Sequence, residues 1–376
     1  MKILLTGGGS GGHFYPIIAV VEELNKFARE NKLADVELFY MSPTPYNEGV
    51  LFDNKISFKK NSAGKFRRYF SILNFFDLFK TIWGITKSTW EIFLIYPDVI
   101  FGKGGYASFP ALFAAKILRI PVVIHESDSV PGKTNKWAGE FAQKIALSYP
   151  EAAKYFLHKD RLAYTGHPIR KELLMSLTSN AHEFLKLDPN VPTILVVGGS
   201  LGAKVINDAI LESLVQLVER YQIIHQTGKV NFNEVRETSD VILLNSLKKD
   251  RYRPYEYLDT LSLRSAAGAA AIVISRAGSM IFEIATWGVP SVIIPISDSN
   301  GDHQSKNAFA YARSGAAIVI QENNLTASIL TAEINRILEN KELLEKMKVS
   351  TKEFVKPDAA KKIAEELLKI ALKHET

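Results

Sequence analysis

The sequence predicts a two-domain α/β protein built on parallel sheets, and three observations carry that expectation. Short Val-, Ile- and Leu-rich runs alternate with longer helical patterns, the rhythm restarts near residue 193, and both halves place glycine-rich loops directly after strands. In the first half the strand candidates are 2–6, 36–41, 98–101, 121–125 and 144–148. In the second they are 193–197, 222–226, 241–244, 271–275, 291–295 and 317–321. The runs are near-continuous in apolar residues rather than alternating, as strands covered by helices on both faces should be. Ile206, Ile210, Leu214 and Leu217 recur at helical spacing, so 205–220 reads as an amphipathic crossover helix. The expected boundaries are 1–165 for one Rossmann-like domain, 166–192 for a polar hinge with prolines near its edges, and 193–357 for a second such domain. Ile363, Leu367 and Ala371 lie on one helical face, so 358–376 is expected to be a C-terminal helix docking across the domains. Ligands of open α/β sheets bind beyond the carboxyl ends of the strands, which makes the cleft between the domains the expected active site.

Composition narrows the class. A chain of 376 residues that is 47% hydrophobic and 23% charged is long enough and apolar enough for two buried cores, which excludes disorder. No apolar stretch approaches the roughly 20 residues a membrane-crossing helix needs, and the opening apolar run meets glycines too soon for a signal peptide. A cytoplasmic protein is expected. With no cysteine, disulfides, thiol nucleophiles and cysteine-based zinc sites are excluded. The net charge of +6 and isoelectric point near 9.1 favour acidic partners, be they phosphates, nucleic acid or anionic lipid.

The first glycine loop, Gly7-Gly8-Gly9-Ser10-Gly11-Gly12-His13, follows the first strand and opens a helix. Glycines there let the backbone turn sharply and bring its N–H groups and the positive end of the helix against an anion, so the loop predicts phosphate binding. The pattern also satisfies G-x-G-x-x-G, but the acidic residue that would hold a nicotinamide ribose is missing, because the second strand ends Phe39-Tyr40-Met41-Ser42-Pro43. His13 stands at the helix start, where the dipole disfavours its protonated form. It is a candidate general base; the alternative is a histidine that caps the helix or bonds a phosphate.

Further loops repeat the device. Gly102-Lys103-Gly104-Gly105-Tyr106 follows the strand at 98–101, and His125-Glu126-Ser127-Asp128 closes the strand at 121–125. Glu126 is a candidate to position an acceptor hydroxyl or to assist His13; the alternative is a carboxylate that caps a helix or braces a loop. In the second half Gly198-Gly199-Ser200-Leu201-Gly202-Ala203 offers amides and a hydroxyl to another diphosphate. Ser275-Arg276-Ala277-Gly278-Ser279 again joins strand to helix, and the Glu283 carboxylate beyond it suits ribose hydroxyls. His303, Gln304 and Asn307 are of the kind that read sugar hydroxyls. No D-x-D pair, H-E-x-x-H or Walker loop is present, so no metal site is expected and the charge on a leaving diphosphate falls to amides, helix ends and Arg or Lys.

Taken in order, these motifs, together with Gly166-His167-Pro168-x-Arg170 and His225-Gln226-Thr227-Gly228-Lys229, closely resemble the MurG family. Its members are UDP-N-acetylglucosamine:undecaprenyl-diphosphate-N-acetylmuramyl-pentapeptide N-acetylglucosaminyltransferases. The resemblance spans residues 2 to 322. It implies a GT-B fold and an inverting transfer of N-acetylglucosamine from UDP to lipid I, giving lipid II, without metal or cofactor and with no nucleic-acid partner. On that resemblance His13 and Glu126 are the catalytic candidates. Gly9, Ser10, Gly11, Gly12, Gly104, Gly105, Tyr106 and Asp128 would meet the acceptor diphosphate. Arg170, Ser200, Leu201, Gly202, Leu258, Arg276, Glu283 and Gln304 would meet the UDP-sugar. Two positions depart from the family pattern: His-Glu-Gln-Asn is here His125-Glu126-Ser127-Asp128, and Gly-Asn-Pro is Gly166-His167-Pro168. Asp128 thereby puts a negative charge near an anionic acceptor. A UDP-sugar transferase acting on diacylglycerol, a non-catalytic nucleotide-sugar-binding protein and, more distantly, a dinucleotide oxidoreductase are the competing readings.

One segment suggests how such an enzyme reaches a lipid. Residues 55–90 carry Lys55, Lys59, Lys60, Lys65, Arg67, Arg68, Lys80 and Lys87, interleaved with Phe66, Tyr69, Phe70, Phe75, Phe76, Phe79, Trp83 and Trp90. Aromatics ringed by cations suit an anionic membrane surface, although part of the set must be core. The resemblance adds a peripheral position on the cytoplasmic face of the cell membrane.

Overall fold

The computed structural model describes residues 1–31, 36–64, 73–199, 202–297 and 302–375. They form two compact units: Met1–Arg170 with Lys356–Thr376, and Lys171–Val355.

The first unit runs β1 (Lys2–Thr6), α1 (Gly11–Glu30), β2 (Glu37–Ser42), α2 (Glu48–Asp53), β3 (Ile56–Lys60), α3 (Leu73–Ile95), β4 (Val99–Gly102), α4 (Phe109–Leu118), β5 (Val122–Glu126), α5 (Lys133–Ala138), β6 (Lys144–Leu147) and β7 (Leu162–Tyr164). Among the described residues its sheet has the order β3-β2-β1-β4-β5-β6-β7, every neighbouring pair parallel. Parallel strands need helical crossovers, and those crossovers cover both faces. Hence the unbroken apolar run of β1: Ile3 and Leu5 pack with Phe14, Ile17 and Val20 of α1, while Leu4 packs with Ala111, Leu112 and Ala115 of α4.

The second unit holds α6 (Ala181–Phe184), β8 (Thr193–Val197), α7 (Lys204–Arg220), β9 (Gln222–Gln226), α8 (Phe232–Ile242), β10 (Tyr252–Tyr255), α9 (Thr260–Ala269), β11 (Ala270–Ser275), α10 (Met280–Trp287), β12 (Ser291–Ile293), α11 (His303–Arg313), β13 (Ala317–Val319), α12 (Ala327–Glu339) and α13 (Lys341–Phe354). Its sheet, order β10-β9-β8-β11-β12-β13, repeats the same parallel plan. The final helix, α14 (Ala359–Glu375), returns to the first unit, where Ile363, Ala364, Leu367, Leu368 and Ala371 complete the core under α1. Burying a Leu or Ile of this kind contributes roughly 1.5–3 kcal/mol each.

One expected strand is a helix. Residues 241–244 lie at the end of α8 and just beyond it: Val235 and Ser239 are buried on one face while Val241 and Leu244 are 74% exposed. The apolar run there was too short to separate the two periods. β3, β7 and β10 were not expected. β10 carries Pro254, which an edge strand tolerates because one side of it needs no donor.

β9 buries His225 completely between α7 and β10. Its Nε2 donates to Asn207 Oδ1 at 3.0 Å, and its Nδ1 accepts from the Tyr252 hydroxyl at 2.9 Å, a tautomer fixed by the amide oxygen. Burial pushes its pKa down to about 3. A folded pKa below the unfolded value means that stability is fully present above about pH 6.5 and is lost as pH falls. Unfolding of the second unit should therefore cost about 2 kcal/mol less at pH 5 than at pH 7 through this residue. Denaturation of wild type and His225→Gln at both pH values checks it: the variant should be less stable at pH 7 but show a smaller pH slope. An equal slope would count against the assignment.

Candidate active site

In a sheet of this order the crossovers change direction between the first strand and the fourth, and the loops leaving those strands splay apart to open a crevice. In the first unit that point lies between β1 and β4, where both glycine loops emerge. Thr6 is held by Lys103 N–H, which donates to its carbonyl at 2.8 Å, and the buried Tyr40 hydroxyl donates to Gly7 O at 2.7 Å. Gly9, Gly104 and Gly105 have φ of 92°, 86° and 79°, a region that disfavours any side chain. Space is also short. A Cβ on Gly104 would stand 2.7 Å from Asn135 Nδ2, and one on Gly105 would stand 3.4 Å from His13 Nε2. The glycines therefore let the second loop pass under the histidine ring.

His13 lies in the first turn of α1, and its Nδ1 is 2.9 Å from Ser10 Oγ. Gly11 and Gly12 open the helix, and the Tyr106 ring lies 3.2 Å from a Cβ position on Gly9. Arg170 stacks its guanidinium 4.1 Å from the ring centroid of Tyr15, which lies in α1 of the first unit. Tyr46, at φ 61° and 42% exposed, packs against Phe14 and puts its hydroxyl 2.7 Å from a Cβ position on Gly11. It was not anticipated, because nothing local marks residue 46 as a neighbour of residue 11.

Beneath the loops is a buried charged cluster. Glu126 Oε1 accepts from Asp128 N–H at 2.9 Å; Oε2 accepts from Asn135 Nδ2 at 2.9 Å and from Gly132 N–H at 3.2 Å. The carboxylate thus ties down the 127–132 loop. Burial, with Asp128 adding to it, pushes its pKa up to about 7, and burial brings Lys103 down to about 8. Lys103 Nζ donates to Ser127 Oγ. Nearby His125 and His167 share the Ser148 hydroxyl at 3.1 Å each, and His125 Nε2 donates to Gly166 O at 3.1 Å. Burial holds both imidazoles well below the ordinary histidine value.

In the second unit the corresponding point lies between β8 and β11. Ser200 and Leu201 lie outside the described residues. Gly202, at φ 76°, donates its N–H to Gly199 O at 3.0 Å and passes so close to Thr227 O that a Cβ there would collide with it. Gln226 bridges the neighbouring loops: Nε2 donates to Gly199 O at 3.3 Å, and Oε1 accepts from Leu258 N–H at 3.0 Å. Leu258 itself is buried. Arg276 donates to Ile294 O at 3.1 Å and pairs with Glu322 at 2.5 Å, and Glu322 also accepts from Ser297 N–H at 2.9 Å. Arg276 therefore braces the loops after β12 and β13. Glu322 carried no sequence signal. Glu283 is half-buried in the first turn of α10, and Gln304, in the first turn of α11, accepts from Ile296 N–H at 3.1 Å. Buried Asn307 donates to Ala277 O at 3.5 Å, tying α11 to the loop after β11.

Two glycine-lined, amide-rich crevices suit two phosphorylated ligands, one in each unit. Residues 3–147 match the family model of the glycosyltransferase family 28 N-terminal domain, and residues 193–363 match that of the C-terminal domain. A protein from Clostridium perfringens named UDP-N-acetylglucosamine--N-acetylmuramyl-(pentapeptide) pyrophosphoryl-undecaprenol N-acetylglucosamine transferase is 36% identical over 93% of this chain and 94% of its own length. A Desulforamulus reducens protein of the same name is 33% identical over 96% of each chain. Among solved structures, MurG of Acinetobacter baumannii aligns with a TM-score of 0.74 at 25% identity, over 98% of this chain and 99% of that one. A UDP-GlcNAc 2-epimerase of Neisseria meningitidis, at 17% identity and a TM-score of 0.68 over 98% and 100%, shares the fold.

Proposed function

Since the chain belongs to glycosyltransferase family 28, whose two domains it carries in order, we infer that it transfers N-acetylglucosamine from UDP-N-acetylglucosamine to undecaprenyl-diphosphate-N-acetylmuramyl-pentapeptide in peptidoglycan synthesis. The single observation that carries this reading is the 33–36% identity, over more than nine-tenths of the chain, to transferases named for that reaction. In the first unit, the amides of Gly9 to Gly12 and of Gly104 and Gly105 receive the acceptor diphosphate, with Tyr106 and Asp128 at its border. His13, whose Nδ1 lies 2.9 Å from Ser10 Oγ, presents Nε2 to the acceptor hydroxyl as general base in the tautomer protonated at Nδ1. Glu126 acts through the loop it braces. In the second unit, Ser200, Leu201 and Gly202 take the UDP phosphates, Leu258 borders the base, Glu283 takes the ribose and Gln304 the sugar. Arg276, which is bonded to Ile294 O and Glu322, and Arg170 are the further residues expected to meet the UDP-sugar. The transfer is metal-independent, because amides and helix ends meet the diphosphate charge. Purified protein, labelled UDP-N-acetylglucosamine and a lipid I analogue, assayed with and without excess chelator, test the reading. A product of the wrong mass, or none, defeats it; loss on chelation with rescue by magnesium defeats metal independence.

The protein acts from the cytoplasmic face of the membrane. Among the described residues no helix is long and apolar enough to cross a bilayer. α3 supports a surface attachment: Ser88, Ile92 and Ile95 are buried on one face, while Phe75, Phe79, Ile82, Trp83 and Trp90 are each more than half exposed. Lys60 and Lys80 lie on the same unit, exposed; Lys65, Arg67 and Arg68 lie outside the described residues. Apolar groups entering the headgroup boundary, with cations each gaining about 1 kcal/mol from anionic lipid, account for this arrangement. Co-sedimentation with anionic vesicles should occur at low salt. It should weaken in high salt and in a variant with Lys59, Lys60, Arg67 and Arg68 changed to Ser, with UDP-sugar binding retained. Equal binding by that variant would remove the segment from the contact.

A further inference from the structure

The loop after β5 concentrates charge in a place with little water. Lys103 is 1% exposed and Glu126 3%, and an ion so placed needs a counter-charge. Both Glu126 oxygens are engaged by Asp128 N–H, Gly132 N–H and Asn135, which fixes Asp128 relative to Glu126. Ser127, between the two acids, accepts the Lys103 ammonium. The Lys103 stem passes beneath the first glycine loop, its Cβ 2.9 Å from a Cβ position on Gly7. We propose that Lys103 is the counter-charge that allows Asp128 to stand beside an anionic diphosphate, and that it is a positioning residue for the 127–132 loop. The proposal rests on the reading of these glycine loops as the acceptor-diphosphate site.

The surroundings favour this pairing over a direct phosphate contact. Lys103 is enclosed, and its charge is felt by Glu126, by Asp128 and by the neutral imidazoles of His125 and His167. The two carboxylates are the anions in that set. Removing the ammonium leaves them without that counter-charge and turns the loop electronegative toward an incoming diphosphate. Removing the Asp128 charge in the same molecule relieves both effects, so the two substitutions must be strongly non-additive.

The test is a double-mutant cycle in the full chain: wild type, K103M, D128N and K103M/D128N, assayed with a lipid-diphosphate-linked acceptor analogue and UDP-N-acetylglucosamine. K103M should raise the acceptor KM by about 10-fold or more while the donor KM moves by less than about 2-fold. D128N should lower the acceptor KM by about 2–3-fold, and the double variant should return to within about 3-fold of wild type. A double variant as impaired as K103M, or a K103M acceptor KM equal to wild type, overturns the proposal. If K103M does not fold, the milder pair K103Q and K103Q/D128N is compared by urea midpoint: recovery in the double variant supports the pairing and its absence overturns it. A wild-type protein that transfers nothing to the acceptor overturns the ligand assignment, whereas absence of midpoint recovery overturns the charge pairing, so the two failures are told apart.

Discussion

His13→Ala should lower kcat by about 10²–10⁴-fold, the usual cost of losing a general base, while UDP-sugar affinity stays close to wild type. The expectation follows from the ring's surroundings. Its Nδ1 is engaged by Ser10, it stands at the positive end of a twenty-residue helix, and Gly105 leaves room under its Nε2 edge. His13→Gln retains a polar group without a proton acceptor of useful basicity, so it should be about as slow as the alanine variant. Steady-state turnover beside calorimetric donor titration checks both. A glutamine variant with normal turnover would reduce His13 to a phosphate contact or a helix cap.

Glu283→Ala should weaken UDP binding by roughly 1.5–3 kcal/mol, or about 10- to 150-fold, because a charge-assisted hydrogen bond to a ribose hydroxyl is lost. Glu283 is half-buried between Phe282 and Ile284, whose side chains are buried in the second unit. That packing fixes the direction of the helix turn from which Glu283 projects. The loss should appear in donor KM much more than in kcat, and titration with UDP alone should show it. Unchanged UDP affinity would sink the assignment.

The sheets were legible wherever a strand is buried on both faces. The runs at 193–197 and 222–226 coincide with β8 and β9, residue for residue: β8 is apolar after Thr193, as a doubly covered strand usually is, and β9 keeps Ile223 and Ile224 at its centre while its buried Gln222, His225 and Gln226 are hydrogen-bonded. Edge strands lack that constraint. β3, with exposed Ser57 and Lys60, and β10, with its proline, sit at the rims of their sheets and carry mixed sequences. The glycine loops were legible because positive φ and close approach leave a local mark on the sequence. Asn135, Tyr46 and Glu322 were not, since each serves a partner far along the chain that only the fold brings near. Lys103 was visible as a cation beside glycines, but its burial and its bond to Ser127 follow from β4 and β5 being neighbours.

α14 is the last helix of the chain, yet it completes the core begun by the first strand. During synthesis the part of that core which α14 covers must therefore wait, uncovered, while the ribosome makes the whole of the second unit. That second unit is contiguous and can close as soon as it emerges. The nascent first unit therefore keeps apolar surface exposed until Ile363, Leu367 and Ala371 arrive to cover it.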